Sequence, residues 1–170
     1  LGHLKRLVDD LLDVARVTSG KIVLRREDMD LVALTQRCIQ QIAPSLQAGT
    51  TLEFVEPVPN VWVHADPVRI EQVINNLLNN AIKYTGTGGT IRVELRAEGD
   101  WALLRVRDTG IGLAPEMVDR VFELFTQVES SLDRAQGGMG IGLTLVRNLV
   151  ALHGGTVAAS SAGLGRGSEF

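Results

Sequence analysis

The sequence predicts an α+β fold, a two-layer sandwich in which a mixed β-sheet packs on helices. Residues 90–98 and 101–108 alternate between apolar and polar side chains and are joined by Gly99-Asp100, which is typical of a β-hairpin. Residues 67–84 place apolar side chains three and four positions apart, which indicates an amphipathic helix. With 170 residues, 45% of them apolar, the chain is long enough for one domain with a substantial core.

The first 18 residues predict an amphipathic helix whose apolar face is too wide for a lone surface helix. Ser19-Gly20 is expected to end it. Such a face needs partner helices, so we expect residues 1–18 to belong to a helical bundle.

The remaining elements follow from the same patterns. Asp30 is expected to cap a helix at 31–48, and Asp66-Pro67 supplies a capping side chain and a first-turn proline for the helix at 67–84. The other expected elements are strands at 21–27, 51–56, 61–64 and 156–160, a short helix near 115–121, a helix at 141–152, a turn at 163–167 and a last strand from residue 168.

Composition excludes several classes of protein. The formal net charge is −3, so no global attraction to nucleic acid is expected, and no apolar run approaches the roughly 20 residues that span a bilayer. Cys38 is the single cysteine, which rules out an internal disulfide and a cysteine-based zinc site. It shares a helical stripe with Leu34 and Ile42, which predicts a place in the core.

Polar residues flank the apolar face of the helix predicted at 67–84. The residues on one flank are Arg69, Asn76, Asn80 and Lys83. Amide oxygens are hard ligands for Mg²⁺ and an ammonium group neutralises phosphate, so this flank suits a metal-bound polyphosphate. A solvated flank is an equally good interpretation, and Asn75 and Asn79 form a second pair at the same spacing. Helical spacing alone leaves the choice open.

Two glycine-rich segments complete the pattern. Asp108 ends a strand and is followed by Gly110 and Gly112, so its carboxylate can accept from an amine while a flat ring approaches the backbone. An ordinary turn explains this short pattern as well. Residues 137–143 run directly into a helix, where exposed backbone amides favour phosphate over the alternative of a simple hinge. The P-loop, dinucleotide, zinc-protease and nucleophile-elbow patterns do not occur.

These three segments, in this order, resemble the N, G1 and G2 boxes of the ATP-binding superfamily that includes sensor histidine kinases, DNA gyrase and MutL. The likeness is closest to the histidine kinases and spans nearly the whole chain. The matching segments are residues 76–85 for the N box, 108–113 for G1, 122–125 for the F box, 138–143 for G2, 163–170 for the closing glycine segment, and 7–14 for the end of the second dimerisation helix.

The resemblance implies ATP and Mg²⁺ as cofactors. It implies that Asn80 ligates Mg²⁺ with Asn76 beside it, that Lys83 and Tyr84 reach the phosphates and ribose, and that Asp108 accepts a hydrogen bond from the adenine amino group. Asn76, Asn80 and Lys83 are the implied catalytic residues. The other implied nucleotide contacts are Gly110, Ile111, Gly112, Leu113, Phe125, Gly138, Gly140, Ile141, Gly142, Leu143 and Thr144, and residues 126–140 are the implied ATP lid.

The same resemblance implies a domain organisation and partners. Residues 1–19 would be the C-terminal part of the second dimerisation helix, and residues 20–170 a Bergerat-type ATP-binding domain with its last strand truncated. The implied partners are the dimerisation and phosphoacceptor domain of the same or the partner subunit, and the receiver domain of a response regulator. A homodimeric parent, either membrane-anchored or soluble, with this domain in the cytoplasm is expected.

One position separates reaction types in this superfamily. The relatives that hydrolyse ATP carry a glutamate four residues before the metal asparagine, and here that position is Asn76. An amide cannot act as a general base, so slow hydrolysis and transfer of the γ-phosphoryl group to a histidine are expected. His3, His64 and His153 do not match the acceptor pattern, so the acceptor is expected outside the chain.

Two other functions compete with this prediction. One is a non-catalytic module that binds ATP only to regulate a partner, which good binding without transfer would favour. The other is an ATP-driven clamp like gyrase or MutL, which Asn76 opposes and appreciable hydrolysis would favour.

Overall fold

A four-stranded mixed sheet forms one layer of the protein. The computed structural model describes residues 11, 12, 15, 22–56, 60–126 and 140–170. The sheet contains β2 (Thr51–Val55), β4 (Thr90–Glu98), β5 (Trp101–Asp108) and β6 (Ser168–Glu169) in the order β2-β4-β5-β6. β2 runs parallel to β4, and the other neighbours are antiparallel. The mixed sheet predicted from the sequence is confirmed.

Two further strands form a separate antiparallel sheet. β1 (Glu27–Asp30) pairs with β3 (Trp62–Ala65), so that Glu27 lies opposite Ala65. β1 leads directly into the helix at Leu31–Ile42, because the carboxylate of Asp30 accepts hydrogen bonds from the amides of Val32 and Ala33 and caps that helix.

In the described ranges from residue 22 onward, three α-helices form the second layer. They are α1 (Leu31–Ile42), α2 (Pro67–Tyr84) and α3 (Gly142–Leu152), with short 3₁₀ turns at Ala43–Ser45, Pro115–Met117 and Arg120–Phe122. α2 begins and ends where the sequence predicts. Asp66 caps its first turn, Pro67 takes the first position, and the helix ends at Tyr84.

The core lies between the two layers. Alternate residues of β4 are buried, as are the apolar faces of all three helices, and together they form one hydrophobic cluster. Its fully buried members include Ile74, Leu78, Ile91, Val93, Leu145, Val146 and Leu149. Cys38 has no exposed surface, which confirms its predicted place in the core, and this burial raises the pKa of its thiol to about 11.

Several element boundaries differ from the sequence-based predictions. The helix expected at 31–48 stops at Ile42 because Pro44 follows, and only a 3₁₀ turn continues it. The short helix near 115–121 is instead two separate 3₁₀ turns. The strand expected at 156–160 is reduced to a single bridge between Ser160 and Glu169.

The strand expected at 21–27 is also wrong, for a different reason. Among the described residues the first strand is β1, and residues 22–26 before it form no strand. Arg25 and Arg26 bond to helix ends instead. The Arg25 amide donates to the Asp66 carboxylate at 2.9 Å, and the Arg26 guanidinium donates to the Leu152 carbonyl at 2.8 Å. The chain therefore enters the domain where α2 begins and α3 ends.

Parts of the prediction fall outside the described residues. The bundle helix expected at 1–18 is described only at Leu11, Leu12 and Ala15, which are helical and exposed, and Ser19-Gly20 lies outside. Most of the lid expected at 126–140 lies outside as well. Within the described ranges, no helix combines the length and apolar character that crossing a bilayer requires.

Asp66 links residue 25 to the start of α2 and the end of α3, a place here called the junction. Its carboxylate accepts hydrogen bonds from the amides of Arg25, Val68 and Arg69, and its own amide donates to Nε2 of His153 at 3.1 Å. Burial alone would raise the pKa of Asp66, but the three amide donors and the positive charge of Arg69 outweigh it and hold the pKa below its usual value of 3.8.

We expect Asp66→Ala to lower the free energy of unfolding at pH 7 by about 1–2 kcal/mol, because a helix cap and a tie to the entering chain are lost. A depressed pKa in the folded state stabilises the fold above the unfolded pKa, and that contribution is lost as pH falls through the folded pKa. The difference between variant and wild type should therefore shrink below pH 3.8. Urea unfolding between pH 7 and 3 measures it.

Asp119→Ala is the matched control for this prediction. Asp119 is exposed and precedes a 3₁₀ turn without capping it. Equal losses for the two variants, or an Asp66→Ala loss that does not change with pH, would contradict the assigned role.

Candidate functional site

One flank of α2 faces the start of α3. Asn76 and Asn80 lie on this flank, both half-buried. The Asn76 amide nitrogen donates to the Gln72 carbonyl at 2.9 Å, and a methyl group at Gly142 would lie 2.9 Å from the Asn76 Oδ1 atom. The asparagine flank and the glycine-rich entry to α3 are therefore in contact.

The second asparagine pair makes a local contact. The Asn79 amide nitrogen donates to the Asn75 carbonyl at 2.6 Å, one turn earlier in the same helix. Helical spacing left both pairs open as candidates. The structure brings Asn76, rather than this second pair, to the first residue of α3 at Gly142.

Lys83 and Tyr84 lie together at the end of α2. The Lys83 ammonium donates to the Tyr84 hydroxyl at 2.9 Å and lies 4.5 Å from the centroid of the same ring. Both residues are half-buried. A cation and a hydroxyl thus stand next to each other where the helix meets the loop after β5.

Residues 108–113, here called the aspartate loop, follow β5. Asp108 is 4% exposed, and both of its carboxylate oxygens accept hydrogen bonds within the protein. Oδ1 accepts from the Gly110 amide at 2.7 Å, and Oδ2 accepts from the Ser168 hydroxyl at 2.5 Å. These two donors fix the orientation of the carboxylate, and each oxygen keeps a second lone pair for another donor.

The aspartate loop is packed backbone against backbone. The Ile111 amide donates to the Tyr84 carbonyl at 3.2 Å, and a methyl group at Gly110 would lie 2.1 Å from that carbonyl oxygen. A methyl group at Gly112 would lie 2.2 Å from the carbonyl oxygen of Gly163. Both glycines were predicted to admit a flat ring, and the need for glycine that the structure shows is this close approach of the protein's own backbone.

Residues 163–167, here called the closing turn, cover the other side of the aspartate loop. The Gly165 amide donates to the Ile111 carbonyl at 2.7 Å, and the Gly167 amide donates to the Gly110 carbonyl at 3.0 Å. The sequence indicated a turn here but not its partner. It also gave no sign of the bond between Ser168 and Asp108, which are 60 residues apart.

The two ends of the predicted lid meet. The Phe125 amide donates to the Gly140 carbonyl at 3.2 Å, and a methyl group at Gly140 would lie 2.6 Å from the Thr126 carbonyl oxygen. Phe125 is 64% exposed and has a φ of +62°, which is uncommon outside glycine. Gly138 and the other residues from 127 to 139 lie outside the described part of the chain.

The first residues of α3 anchor this region to the core. Ile141 is 3% exposed and belongs to the main hydrophobic cluster, while Leu143 packs against it and against a second cluster around Leu113 and Phe122. The Thr144 hydroxyl donates to the Phe122 carbonyl at 2.9 Å. Three residues predicted to border a nucleotide thus also hold the start of α3 in place.

These residues suit ATP and Mg²⁺. Each oxygen of the buried Asp108 carboxylate keeps a lone pair that could accept from an amino group. Ile141, which precedes α3, makes no side-chain cap, so the first amides of this helix could serve a phosphate. Among the described residues, no three His, Cys, Asp or Glu side chains form a metal site. Mg²⁺ would be held by the Asn80 amide oxygen together with phosphate oxygens, a ligand set that this small, hydrated ion accepts.

The comparisons with known proteins show to which family the chain belongs. A family described as histidine kinase-, DNA gyrase B- and HSP90-like ATPases matches residues 65–170, which include α2, the aspartate loop, α3 and the closing turn. The chain belongs to this ATPase family. Membership confirms the resemblance that the ordered sequence motifs indicated.

Individual relatives of this ATPase domain are sensor kinases. The circadian input-output histidine kinase CikA of Synechococcus elongatus is 35% identical over 99% of the chain, and the adaptive-response sensory kinase SasA of a Synechococcus species is 38% identical over all of it. The crystal structure of full-length ShkA in complex with AMPPNP matches 99% of the chain with a TM-score of 0.83 and 31% identity. The chain spans 22%, 45% and 35% of these three proteins, respectively.

Proposed function

We propose that the chain is the catalytic domain of a sensor histidine kinase, which binds Mg²⁺–ATP and transfers its γ-phosphoryl group to a histidine of a dimerisation domain. One observation carries this proposal: Asn76 of α2 lies against the start of α3, and Tyr84, the last residue of the same helix, bonds to the aspartate loop. The kinase names of CikA and SasA and the AMPPNP bound to ShkA support it.

In the proposed reaction, a ring nitrogen of the acceptor histidine attacks the γ-phosphorus in line. The bond to the oxygen bridging the β- and γ-phosphates breaks, the products are phosphohistidine and ADP, and the ring's displaced proton passes to solvent. Asp108 would hold the adenine, Lys83 and the amides at the start of α3 would neutralise phosphate charge, and Asn76 would position the reacting end. Mg²⁺ on Asn80 would supply further charge neutralisation.

Asn76 supports transfer to a protein rather than hydrolysis. Its amide nitrogen donates to the Gln72 carbonyl, and an amide has no basic lone pair to accept a proton from water. Activation of a water molecule is therefore missing at the position where hydrolysing relatives carry glutamate. A kinase domain of this kind should hydrolyse ATP slowly, whereas an ATP-driven clamp should hydrolyse it at an appreciable rate.

The acceptor histidine is proposed to lie outside this chain. His64 is bonded to Asp28 on the small sheet, and His153 accepts the Asp66 amide at the junction, so each has a local structural contact. Residues 1–19 are proposed to end the dimerisation bundle that carries the acceptor. The proposed partners are that bundle and a response-regulator receiver domain, in the cytoplasm.

The experiment supplies the dimerisation domain of the parent protein in trans with labelled Mg²⁺–ATP. We expect phosphohistidine on the supplied domain and none on the chain alone. Asn80→Ala should lower the affinity for Mg²⁺–ATP about tenfold, because the amide oxygen proposed to hold Mg²⁺ is lost. Calorimetric titration measures the affinity.

Asn79→Ala is the matched control, since it changes the neighbouring asparagine of the same helix. Equal losses at the two positions would show that the other flank binds the nucleotide. Good binding without transfer would instead favour a regulatory module, and phosphohistidine on the isolated chain would place an acceptor within it.

A further inference from the structure

The Ser161 hydroxyl lies between the aspartate loop and the closing turn. It accepts the Leu113 amide at 3.0 Å and the Gly163 amide at 3.2 Å. It has one proton to donate, and the nearer acceptor is the Gly167 carbonyl at 2.6 Å, with the Gly163 carbonyl at 3.2 Å. One half-buried side chain thus bonds to the last residue of one loop and to both ends of the other.

The packing around this hydroxyl leaves little freedom. A methyl group at Gly112 would lie 3.1 Å from the Ser161 oxygen and the same distance from the Gly167 carbonyl oxygen. The closing turn also donates its Gly165 and Gly167 amides to the aspartate loop. These contacts set the separation of the two loops, and Ser161 is the side chain placed between them.

The position of Gly167 controls a second bond. Ser168 is the next residue, and its hydroxyl donates to Oδ2 of Asp108. Holding the Gly167 carbonyl therefore also holds the donor that orients the Asp108 carboxylate. The connection runs from Ser161 to Gly167 by a hydrogen bond, to Ser168 along the chain, and to Asp108 by a second hydrogen bond.

We propose that Ser161 is a positioning residue for recognition of the adenine base. It touches no nucleotide, and it keeps the closing turn where Ser168 orients Asp108 toward the adenine amino group. This inference rests on the proposed function, because it assigns a supporting role within the same ATP site. If Ser161 were purely structural, it would bond to the same backbone groups, but its loss would weaken the binding of adenine and of phosphate alike.

The test compares two ligands on the Ser161→Ala variant. We expect the dissociation constant for Mg²⁺–ATP to rise about tenfold, the effect of losing one hydrogen bond to a part-buried partner. The dissociation constant for inorganic triphosphate with Mg²⁺ should stay unchanged, because phosphate binds at α2 and α3. Ser160→Ala is the matched control, since Ser160 is exposed and bridges to Glu169 through its backbone.

A double-mutant cycle with Ser161→Ala and Ser168→Ala tests whether Ser161 acts on Asp108 through Ser168. If Ser161 acts through Ser168, the loss in the double variant is clearly smaller than the sum of the two single losses. Additive losses, an equal loss of affinity for ATP and triphosphate, or wild-type ATP affinity in Ser161→Ala would each overturn the inference. If Ser161→Ala does not fold, Ser161→Cys, with its weaker donor, takes its place in the same titrations. A wild-type chain that binds no ATP would overturn the proposed function instead.

Discussion

Asp108→Asn is expected to raise the dissociation constant for ATP about a hundredfold. The carboxylate accepts from the Gly110 amide and the Ser168 hydroxyl, and in the proposed site it also accepts from the adenine amino group. The asparagine side chain has the same shape, but its NH₂ group would face hydrogen-bond donors where the carboxylate oxygen accepted from them. A buried donor facing a donor costs about 1–3 kcal/mol, and a hundredfold loss corresponds to about 2.7 kcal/mol.

The same substitution is expected to narrow the preference for ATP over GTP. The guanine ring carries a carbonyl where adenine carries the amino group, and the side-chain amide introduced by Asp108→Asn can donate to that carbonyl. Titration with both nucleotides measures the ratio, and Asp100→Asn in the exposed turn between β4 and β5 is the control. If ATP affinity falls equally in Asp108→Asn and Asp100→Asn, or does not fall in Asp108→Asn, then Asp108 does not bind the adenine base.

Gly167→Ala is expected to destabilise the fold by about 3–5 kcal/mol and to abolish measurable ATP binding. Its methyl group would lie 2.0 Å from the Asp108 carbonyl oxygen and 3.0 Å from the Thr109 Cα atom, so the aspartate loop has to move. Gly167 also has a φ of +72°, which adds the usual cost of a left-handed conformation for alanine.

Gly165→Ala separates the two contributions to that loss. Gly165 lies in the same turn with a φ of +74°, yet a methyl group there would meet nothing within 4 Å. We expect this variant to lose only about 1–2 kcal/mol, the cost of the conformation itself, and to keep its ATP affinity. Chemical unfolding measures both variants, and equal losses would show that the contact with Asp108 is unimportant.

The parts of the fold that the sequence predicts well carry local signals. α2 has a capping aspartate, a first-turn proline and a continuous apolar face, and its start and end are both correct. The hairpin of β4 and β5 has clear alternation, most regular in β4, and a Gly-Asp turn, and it too is correct. Each signal lies within a few residues of the structure that it specifies.

The parts that the sequence does not predict depend on distant partners. Residues 22–26 alternate like a strand, but Arg26 bonds to a helix end 126 residues away. The strand expected at 156–160 lacks a continuous partner, so only the bridge of Ser160 remains. No local pattern records such pairings, because the bonding group lies elsewhere in the chain.

In the candidate site too, local motifs could be predicted and contacts between distant residues could not. Its motifs are visible in the sequence because glycine and asparagine occur at characteristic spacings, and the family match agrees with them. The resemblance to the N box chose between the two asparagine pairs, and the structure adds the contact of Asn76 with Gly142. The serines that support Asp108 were missed. The nucleotide and Mg²⁺ roles of all the predicted site residues, Asn76 and Asp108 included, stay predictions.

The bond between Ser168 and Asp108 has a consequence for synthesis of the protein. A chain emerging from the ribosome exposes α2 and β5 long before residue 168, and a domain generally folds as one unit. Until Ser168 arrives, the Asp108 carboxylate lacks one of its two donors and the aspartate loop lacks its cover. The adenine end of the proposed site is thus completed last, so a partly made chain cannot engage nucleotide in the way that the finished domain does.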